Sequence, residues 1–398
     1  MKNKLFYQDP YIKEFTATLQ KQEKDNSNGE WYAVLDKTAF YPEGGGQPFD
    51  TGVLNDITVV NVQEINDEIR HYLEAPLPEG TTNISGIIDW ERRFDHMQQH
   101  AGQHLLSAAF EELFSYKTIS FHLGKEMCTI DIATPELTLD EANKAEGLVN
   151  QIILENRMIE TKWVSKEELS LYPLRKELSV KENIRLVIVP EYDYNGCGGT
   201  HPNSTAEVSA LKIMNWEKQK KKVRITFICG NRVLKELHEK QKVISELAIQ
   251  LNAPQASMVD GVKRLLEQNK ELEKTVKEQT NMLLEFEADS ILSEVEIKGD
   301  LNVIGKVFQN RTFSDLQILA RNITNTNENM NVLLVLENNE KLQFVCARGK
   351  ASEINMNMIT KRLITEINGK GGGTVDFAQG GGRGTGDIVL QAFIRLVK

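Results

Sequence analysis

The sequence predicts an α+β multidomain protein of four parts: a small N-terminal β-barrel (1–93), a mixed α+β domain (94–231), a coiled-coil-like helical hairpin (232–296) and a C-terminal α/β domain (297–398). Three observations predict it. Residues 1–93 alternate short apolar strands with turn signals, the pattern of a small barrel. Residues 232–296 are charged and helical, with an apolar seam of 3.5-residue period. Residues 297–398 alternate strands with helices, which indicates a layered sheet with covered faces.

Composition sets the limits. The 398 residues are enough for two or three hydrophobic cores, and 40% hydrophobic with 26% charged residues is an ordinary globular balance. A net charge of −10 argues against wholesale coating of nucleic acid, though it leaves room for a local basic patch. Cys128, Cys197, Cys229 and Cys346 are too few and too widely spaced for a disulfide framework, so a reduced, cytoplasmic compartment is expected. The N-terminal MKNKLFYQDPYIKEF lacks the apolar core of a signal peptide, and no apolar run is long enough to span a membrane.

In the barrel, strands are expected at Glu14–Leu19, Glu30–Leu35 and Ile57–Val62, separated by turn residues such as Asn26–Gly29 and Pro78–Gly80. Between them runs Thr38–Asp50, with Gly44, Gly45 and Gly46 after Pro42 and Glu43. Such a loop lets backbone approach a ligand closely, but a plain hairpin tip explains it as well. It is no P-loop, because the Lys-Ser/Thr tail is missing.

The mixed domain holds two short motifs. His100 and His104 are four apart, ahead of Leu105, Leu106, Ala108, Ala109 and Phe110, whose spacing is helical. Both imidazoles then lie on one helix face, one turn apart. Cys197 and His201 are also four apart, joined by Gly198, Gly199 and Thr200 in an irregular loop that Pro202 ends. Alone, a single Cys and His in a loop are more often structural or incidental, and the helical pair reads equally as two core or surface histidines. Together they supply three histidines and a cysteine, a donor set for tetrahedral zinc.

The other elements follow in order. The His100 helix is expected to reach Ser115, followed by a strand at Met127–Ile132 and an amphipathic helix over Leu139–Arg157, capped by Thr138. Strands are expected at Ile184–Val189, Thr205–Ile213 and Lys222–Ile228. Lys218, Lys220, Lys221 and Lys222 form the most basic short cluster, either a solvated hairpin tip or a phosphate contact. Asn252–Pro254 divides the two hairpin helices; Val262, Leu265, Leu272, Val276, Leu283 and Phe286 form the seam of the second, with Asn269 and Gln279 between them. Spacing and dimerisation both suit such a hairpin. In the last domain, strands are expected at Leu301–Phe308, Val332–Leu336 and Gln343–Cys346, and helices at Ser314–Asn322, Met356–Ile367 and Ile388–Val397. Two glycine clusters, 369–373 and 380–386, precede the terminal helix and could present backbone N–H groups to phosphate there.

Five stretches in order, FYPEGGGQPFDTG (40–52), DHMQQHAGQHLLSA (95–108), SFHLG (120–124), CGGTH (197–201) and GKGGG with AQGGG (369–382), resemble the alanyl-tRNA editing family, the editing half of alanyl-tRNA synthetase as a free-standing protein. The C-terminal part resembles the glycine-rich DHHA1-type domain shared with DHH phosphoesterases. One departure is Ala101-Gly102, where the family more often has Thr or Ala, so packing behind the helix is expected to differ. The resemblance implies a zinc held by His100, His104, Cys197 and His201. It implies hydrolysis of the ester joining serine or glycine to tRNA(Ala), with no amino-acid activation by ATP. Such editing is needed because a pocket built for alanine discriminates one-group size differences by only about 1–3 kcal/mol. Thr38 and Gln47 are then candidates for sensing the serine hydroxyl, and His122 for touching substrate or the terminal adenosine. Lys218, Lys220, Lys221, Lys222, Arg224, Lys370 and Arg383 are candidates for holding tRNA. Homodimerisation would run through the helical hairpin or the C-terminal domain. The alternative function is a non-enzymatic tRNA-binding protein with a structural zinc; a phosphoester hydrolase ranks below both, since the acidic metal cluster for that chemistry is missing.

Overall fold

A computed structural model of the chain describes residues 3–26, 28–176, 184–294, 302–338 and 341–397. The chain divides into two compact units, Met1–Glu246 and Leu247–Lys398.

The first unit opens with α1 (Leu5–Gln8) and six strands: β1 (Glu14–Lys24), β2 (Trp31–Leu35), β3 (Gly52–Leu54), β4 (Ile57–Ile65), β5 (Glu68–Leu73) and β6 (Asn83–Ile88). They close into a barrel in the order β1-β2-β5-β4-β3-β6, with β6 returning to pair with β1. Closure removes the exposed edge that an open sheet would leave. Along β1 and β6, alternate residues such as Phe15, Ala17, Ile84 and Ile88 enter the core. Gly86 gives its side-chain space to Phe15, whose ring lies 2.3 Å from where a Cβ would stand. Two tight hairpins, at Asn55-Asp56 and Asn66-Asp67, take positive φ at both residues, which Asn and Asp tolerate.

The remainder of this unit contains α2 (Trp90–Phe114), β7 (Thr118–Leu123), β8 (Cys128–Ile132), α3 (Leu139–Leu154), β9 (Glu160–Val164), β10 (Ile184–Val189), β11 (Asp193–Gly196), β12 (Leu211–Gln219) and β13 (Lys222–Cys229), and α4 (Asn231–Leu251) leads out. Two antiparallel sheets, β12-β13-β8-β7 and β11-β10-β9, accompany α2 and α3. Thr138 and Glu141 form a reciprocal capping box at the start of α3. The strand expected from Thr205 begins only at Leu211. Thr205–Val208 instead forms a 3-10 turn, held by the Thr205 hydroxyl donating to the Ile152 carbonyl at 2.8 Å.

A buried ion pair joins barrel and helix. Arg93 on α2 and Asp50 at the end of the glycine loop are both fully buried. The guanidinium donates to Asp50 from Nε (2.9 Å), to the Pro10 carbonyl (2.9 Å) and to the Ala39 carbonyl (2.5 Å). The Asp50 carboxylate also accepts the Tyr41 N–H at 2.6 Å. Each charge thus has hydrogen bonds to offset its desolvation. The pair ties both ends of the glycine loop to the helix that carries His100.

The second unit comprises α5 (Met258–Glu294), β14 (Asn302–Phe308), α6 (Phe313–Thr326), β15 (Met330–Asn338), β16 (Lys341–Arg348), α7 (Met356–Glu366), β17 (Lys370–Gly373), β18 (Phe377–Arg383) and α8 (Gly386–Val397). Its sheet runs β14-β15-β16-β18-β17, parallel only between β14 and β15. Helix α6 and the end of α5 share a core with one face, and α7 and α8 with the other.

The helices on either side of Asn252–Pro254 form, and the seam of α5 is exposed. Leu265, Leu272, Val276, Leu283 and Phe286 are between 51% and 68% accessible, and the stripe that packs is Leu284, Ala288 and Ile291. The glycine clusters form paired strands, not a phosphate loop. A Cβ at Gly371 would stand 2.4 Å from the Gln379 carbonyl oxygen, and one at Gly373 2.4 Å from the Ala378 Cα, so only glycine allows this close pairing. At the head of α8 the Gly386 N–H donates to the Glu337 carboxylate (3.1 Å), so a protein anion already occupies that helix end.

Candidate metal centre

Helix α2 begins where the Asp89 carboxylate accepts the Arg92 N–H, and ends at Ser115 in the left-handed conformation. From Arg93 to Phe110 every residue but Phe94 and Asp95 is buried, so His100 and His104 point into protein. The β10–β11 hairpin delivers the second motif. It pairs Leu186 with Gly196, so the chain leaves the sheet at Cys197 and turns back toward α2. Arg185 fixes that turn: its guanidinium donates to the carbonyls of Cys197 (2.9 Å) and Gly199 (2.8 Å).

The two motifs meet. One donor atom each from His100, His104, Cys197 and His201 lies within 4.8 Å of all the others. Cys197 Sγ is 3.4 Å from His100 Nε2 and 3.3 Å from His201 Nε2. Gly199 is indispensable, since a Cβ there would stand 2.3 Å from the His100 ring and 2.8 Å from Gln47 Oε1.

A surrounding set of hydrogen bonds orients the donors. Gln47, fully buried, accepts from His100 Nδ1 (3.1 Å) and the Thr200 N–H (3.0 Å), and donates to the Thr200 hydroxyl (2.8 Å). Asp193 lies 3.2 Å from His104 Nδ1, and its other oxygen accepts from Arg175 (2.8 Å). With Nδ1 engaged on both rings, Nε2 is left to face the cluster, as in metal sites whose histidines are held by an outer carboxylate or carbonyl. Burial pushes the Cys197 thiol up, but the neighbouring His100 and His201 imidazoles and hydrogen bonds from His100 and His104 outweigh it and hold it well below its ordinary value. Burial likewise lowers His104, yet its bonds to Asp193 and Cys197 raise it to about 9. Burial takes His201 down to about 3. The four residues could hold a metal ion.

A cavity of about 190 Å³ opens beside the cluster, its wall including Gly45, Gln103, Phe121, Arg175, Asn195 and Gly198. The glycine loop reaches it because Gly46, with φ +79°, sits against Phe121, whose ring centre is 5.9 Å from that of His100.

Of the other expected site residues, Gln47 is at the cluster, where it orients His100 and the CGGTH loop; the rest lie elsewhere. Thr38 is buried in the barrel: its hydroxyl is 2.8 Å from His71 Nε2 and accepts the Phe40 N–H at 3.1 Å. Because His71 Nδ1 donates to the Ala33 carbonyl (3.0 Å), Nε2 must accept, and the Thr38 proton is spent on it. His122 is exposed on β7 next to Phe121, and strand alternation turns it to the opposite face. Lys222 and Arg224 are tied to Asp131 at 2.5 and 2.7 Å, which leaves Lys218, Lys220 and Lys221 at the β12–β13 tip. Lys370 and Arg383 are exposed on β17 and β18. Sequence reasoning missed Arg185, Asp193, Asn195 and Arg175. The run Asp193–Asn195, just before Cys197, was the available signal, since a strand of polar residues entering a ligand loop has a reason to be polar.

Three family profiles match the chain: "tRNA synthetases class II (A)" over residues 2–92, "Threonyl and Alanyl tRNA synthetase second additional domain" over 184–226, and "DHHA1 domain" over 300–398. The alanyl-tRNA editing protein AlaX-L of Pyrococcus horikoshii is 32% identical over 392 residues, covering 96% of this chain and 94% of that protein. The alanine–tRNA ligase of Pyrococcus furiosus is 32% identical over 94% of this chain, which spans 41% of the ligase. The alanyl-tRNA editing protein Aarsd1 of Bos taurus is 34% identical over 67% of this chain and 63% of that protein.

Proposed function

The chain belongs to the alanyl-tRNA editing family, and from that premise we propose that it hydrolyses the ester linking serine or glycine to tRNA(Ala), with zinc held by His100, His104, Cys197 and His201. The family makes it an aminoacyl-tRNA deacylase. The observation that carries the zinc is the convergence of four donors within 4.8 Å, with the outer nitrogens of His100 and His104 held by Gln47 and Asp193. Three nitrogens and one sulfur suit zinc.

When bound, zinc supplies positive charge that positions the substrate's amino group or a water. The protein supplies the rest. The aminoacyl ester is already activated, so holding it in place accounts for much of the acceleration. Gly45 and Gly198 present backbone without side chains at the cavity wall, so the ester can come close to the cluster. The modest cavity suits a small aminoacyl group. Gln103 and Asn195, neutral polar side chains in that wall, take over from Thr38 as candidates for reading the serine hydroxyl. A pocket matched to that hydroxyl rejects a substrate lacking it, because the pocket's polar group is then left unpaired.

Lys218, Lys220 and Lys221, with Lys370 and Arg383 in the second unit, are the cations proposed to meet tRNA phosphates. Four free cysteine thiols suit a cytoplasmic location, and no helix among the described residues is long and apolar enough to cross a membrane. Homodimerisation through the exposed seam of α5 is proposed on its apolar a/d pattern.

The second reading is a tRNA-binding protein whose zinc is structural, favoured by four donors that together could saturate the metal. The deciding experiment follows amino-acid release from Ser-, Gly- and Ala-tRNA(Ala), with a His100→Ala/Cys197→Ala control. Release of serine or glycine, sparing of alanine and an inert control support editing. Retained tRNA binding with no release supports the second reading.

A further inference from the structure

Beside the metal centre lies an aromatic shelf that the hydrolytic site does not use. β9, β10 and β11 set three residues in one row: Trp163 pairs with Arg185, and the Arg185 carbonyl accepts the Cys197 N–H at 3.0 Å. Residues paired across neighbouring strands project to the same face. Trp163 therefore shares a face with Cys197, two strand spacings or about 10 Å away. Its indole is 42% exposed, although strand β10 beside it is wholly buried. It meets Tyr7 edge-on, with ring centres 5.5 Å apart. Tyr7 in turn closes the gap to the cavity: its hydroxyl oxygen lies 3.5 Å from where a Cβ on Gly198 would stand, and Gly198 borders the cavity.

Between the rings and the metal loop sits Arg185, 6% exposed, its guanidinium 5.0 Å from the centre of the Tyr7 ring. Among the described residues no carboxylate pairs with it, and its Nε has no hydrogen-bond partner. Its nearest opposite charge is the Cys197 sulfur, and its two carbonyl bonds leave Nε free to meet a polar group of a ligand. An exposed tryptophan favours a flat ring, since unpaired bases are bound by stacking on aromatic side chains.

We propose that Trp163, supported by Tyr7 and Arg185, stacks the 3′-terminal adenine of the acceptor end, placing the esterified ribose over the cavity. This rests on the editing function proposed above and names the part of the substrate that the shelf takes. Stacking the base would set where the esterified ribose falls relative to the metal loop. Trp163 is a positioning residue here and touches no reacting atom.

The test uses the zinc-loaded full chain. Stacking quenches tryptophan emission, so the trinucleotide CCA should quench wild-type fluorescence, and Trp163→Phe should abolish the Trp163 part of it. Trp163→Ala should raise KM for Ser-tRNA(Ala) by about five- to a hundred-fold, with kcat nearly unchanged and zinc retained. Trp163→Phe, which keeps a flat ring, should restore most of the KM. Equal quenching of wild type and Trp163→Phe, or a KM that ignores Trp163→Ala, overturns the shelf. A drop in kcat alone, or loss of zinc shared by both variants, would make Trp163 a packing residue and also overturns it. The two readings separate cleanly. Hydrolysis without Trp163 quenching leaves editing standing and removes the shelf; Trp163 quenching by CCA in a protein that releases no amino acid removes editing and keeps the base site.

Discussion

Gly102 shows how one missing methyl is used. A Cβ there would stand 2.1 Å from Cys229 Sγ, so the thiol fills the space behind the helix that carries His100 and His104. Gly102→Ala should destabilise the fold through overpacking, by about 1–3 kcal/mol, and adding Cys229→Ala should restore much of it; thermal melts of the single and double variants decide this. Gly199→Ala puts its Cβ into the His100 ring and should abolish the proposed zinc binding, read as zinc content per chain. Gln47→Leu is subtler. It removes the acceptor that holds His100 Nδ1, and should weaken zinc about ten- to a hundred-fold in a chelator competition, with the barrel still folded. His71 sets a pH dependence. Burial lowers it to about 4. Above about pH 6.5 both folded and unfolded chains hold it neutral. Below that, the unfolded chain takes up a proton that the folded one refuses, so stability falls with pH, by up to about 3 kcal/mol as pH nears 4. His71→Asn should flatten that slope in chemical melts at about pH 7.5, 5.5 and 4.5, leaving the part of the same sign from His96, which burial also lowers to about 4.

At the scale of elements, α2 is the axis of the first unit. It is a 25-residue helix that enters at the barrel through Arg93 and carries the two histidines at its middle. Removing one member of a buried ion pair strands the other charge. Arg93→Met should therefore destabilise the first unit by about 3–5 kcal/mol and also lower zinc affinity, because the glycine loop loses its tie to the helix. Arg93→Met/Asp50→Leu should recover much of the stability; recovery of zinc along with it would show that loop placement acts through the pair. Helix α5 shows the opposite condition. Its apolar a/d positions Val262, Leu265, Leu272, Val276, Leu283 and Phe286 stay exposed, and Asn269 stands at an a position, the arrangement that favours two parallel strands. Leu272→Lys should shift the wild-type chain from dimer to monomer in sedimentation velocity; a wild-type monomer sinks the dimer.

For the whole molecule, a chain of net charge −10 must approach an anion through local patches. Replacing Lys218, Lys220 and Lys221 with Glu should weaken tRNA binding for every charged form alike and make the salt slope shallower by about one for each phosphate no longer neutralised. Replacing Lys222 or Arg224 should instead cost stability, since both are bound to Asp131, whose carboxyl they hold well below the ordinary range, Arg224 most strongly. The sequence by itself determined the barrel, the helix with its paired histidines, the CGGTH loop and the α/β character of the C-terminal unit. Those features are local: a period of two or 3.6 residues, a capping box, a four-residue spacing between donors are written into neighbouring positions. Only the tertiary structure decided that Gln47 and Asp193 orient the imidazoles, that Thr38 spends its proton on His71, that Lys222 and Arg224 already have a carboxylate, and that the glycine clusters pair as strands. Each depends on which distant side chain a hydrogen bond, charge or backbone meets, and that choice is made by packing between segments as far apart as the 153 residues from Gln47 to Thr200, a separation across which a single sequence carries no periodic signal.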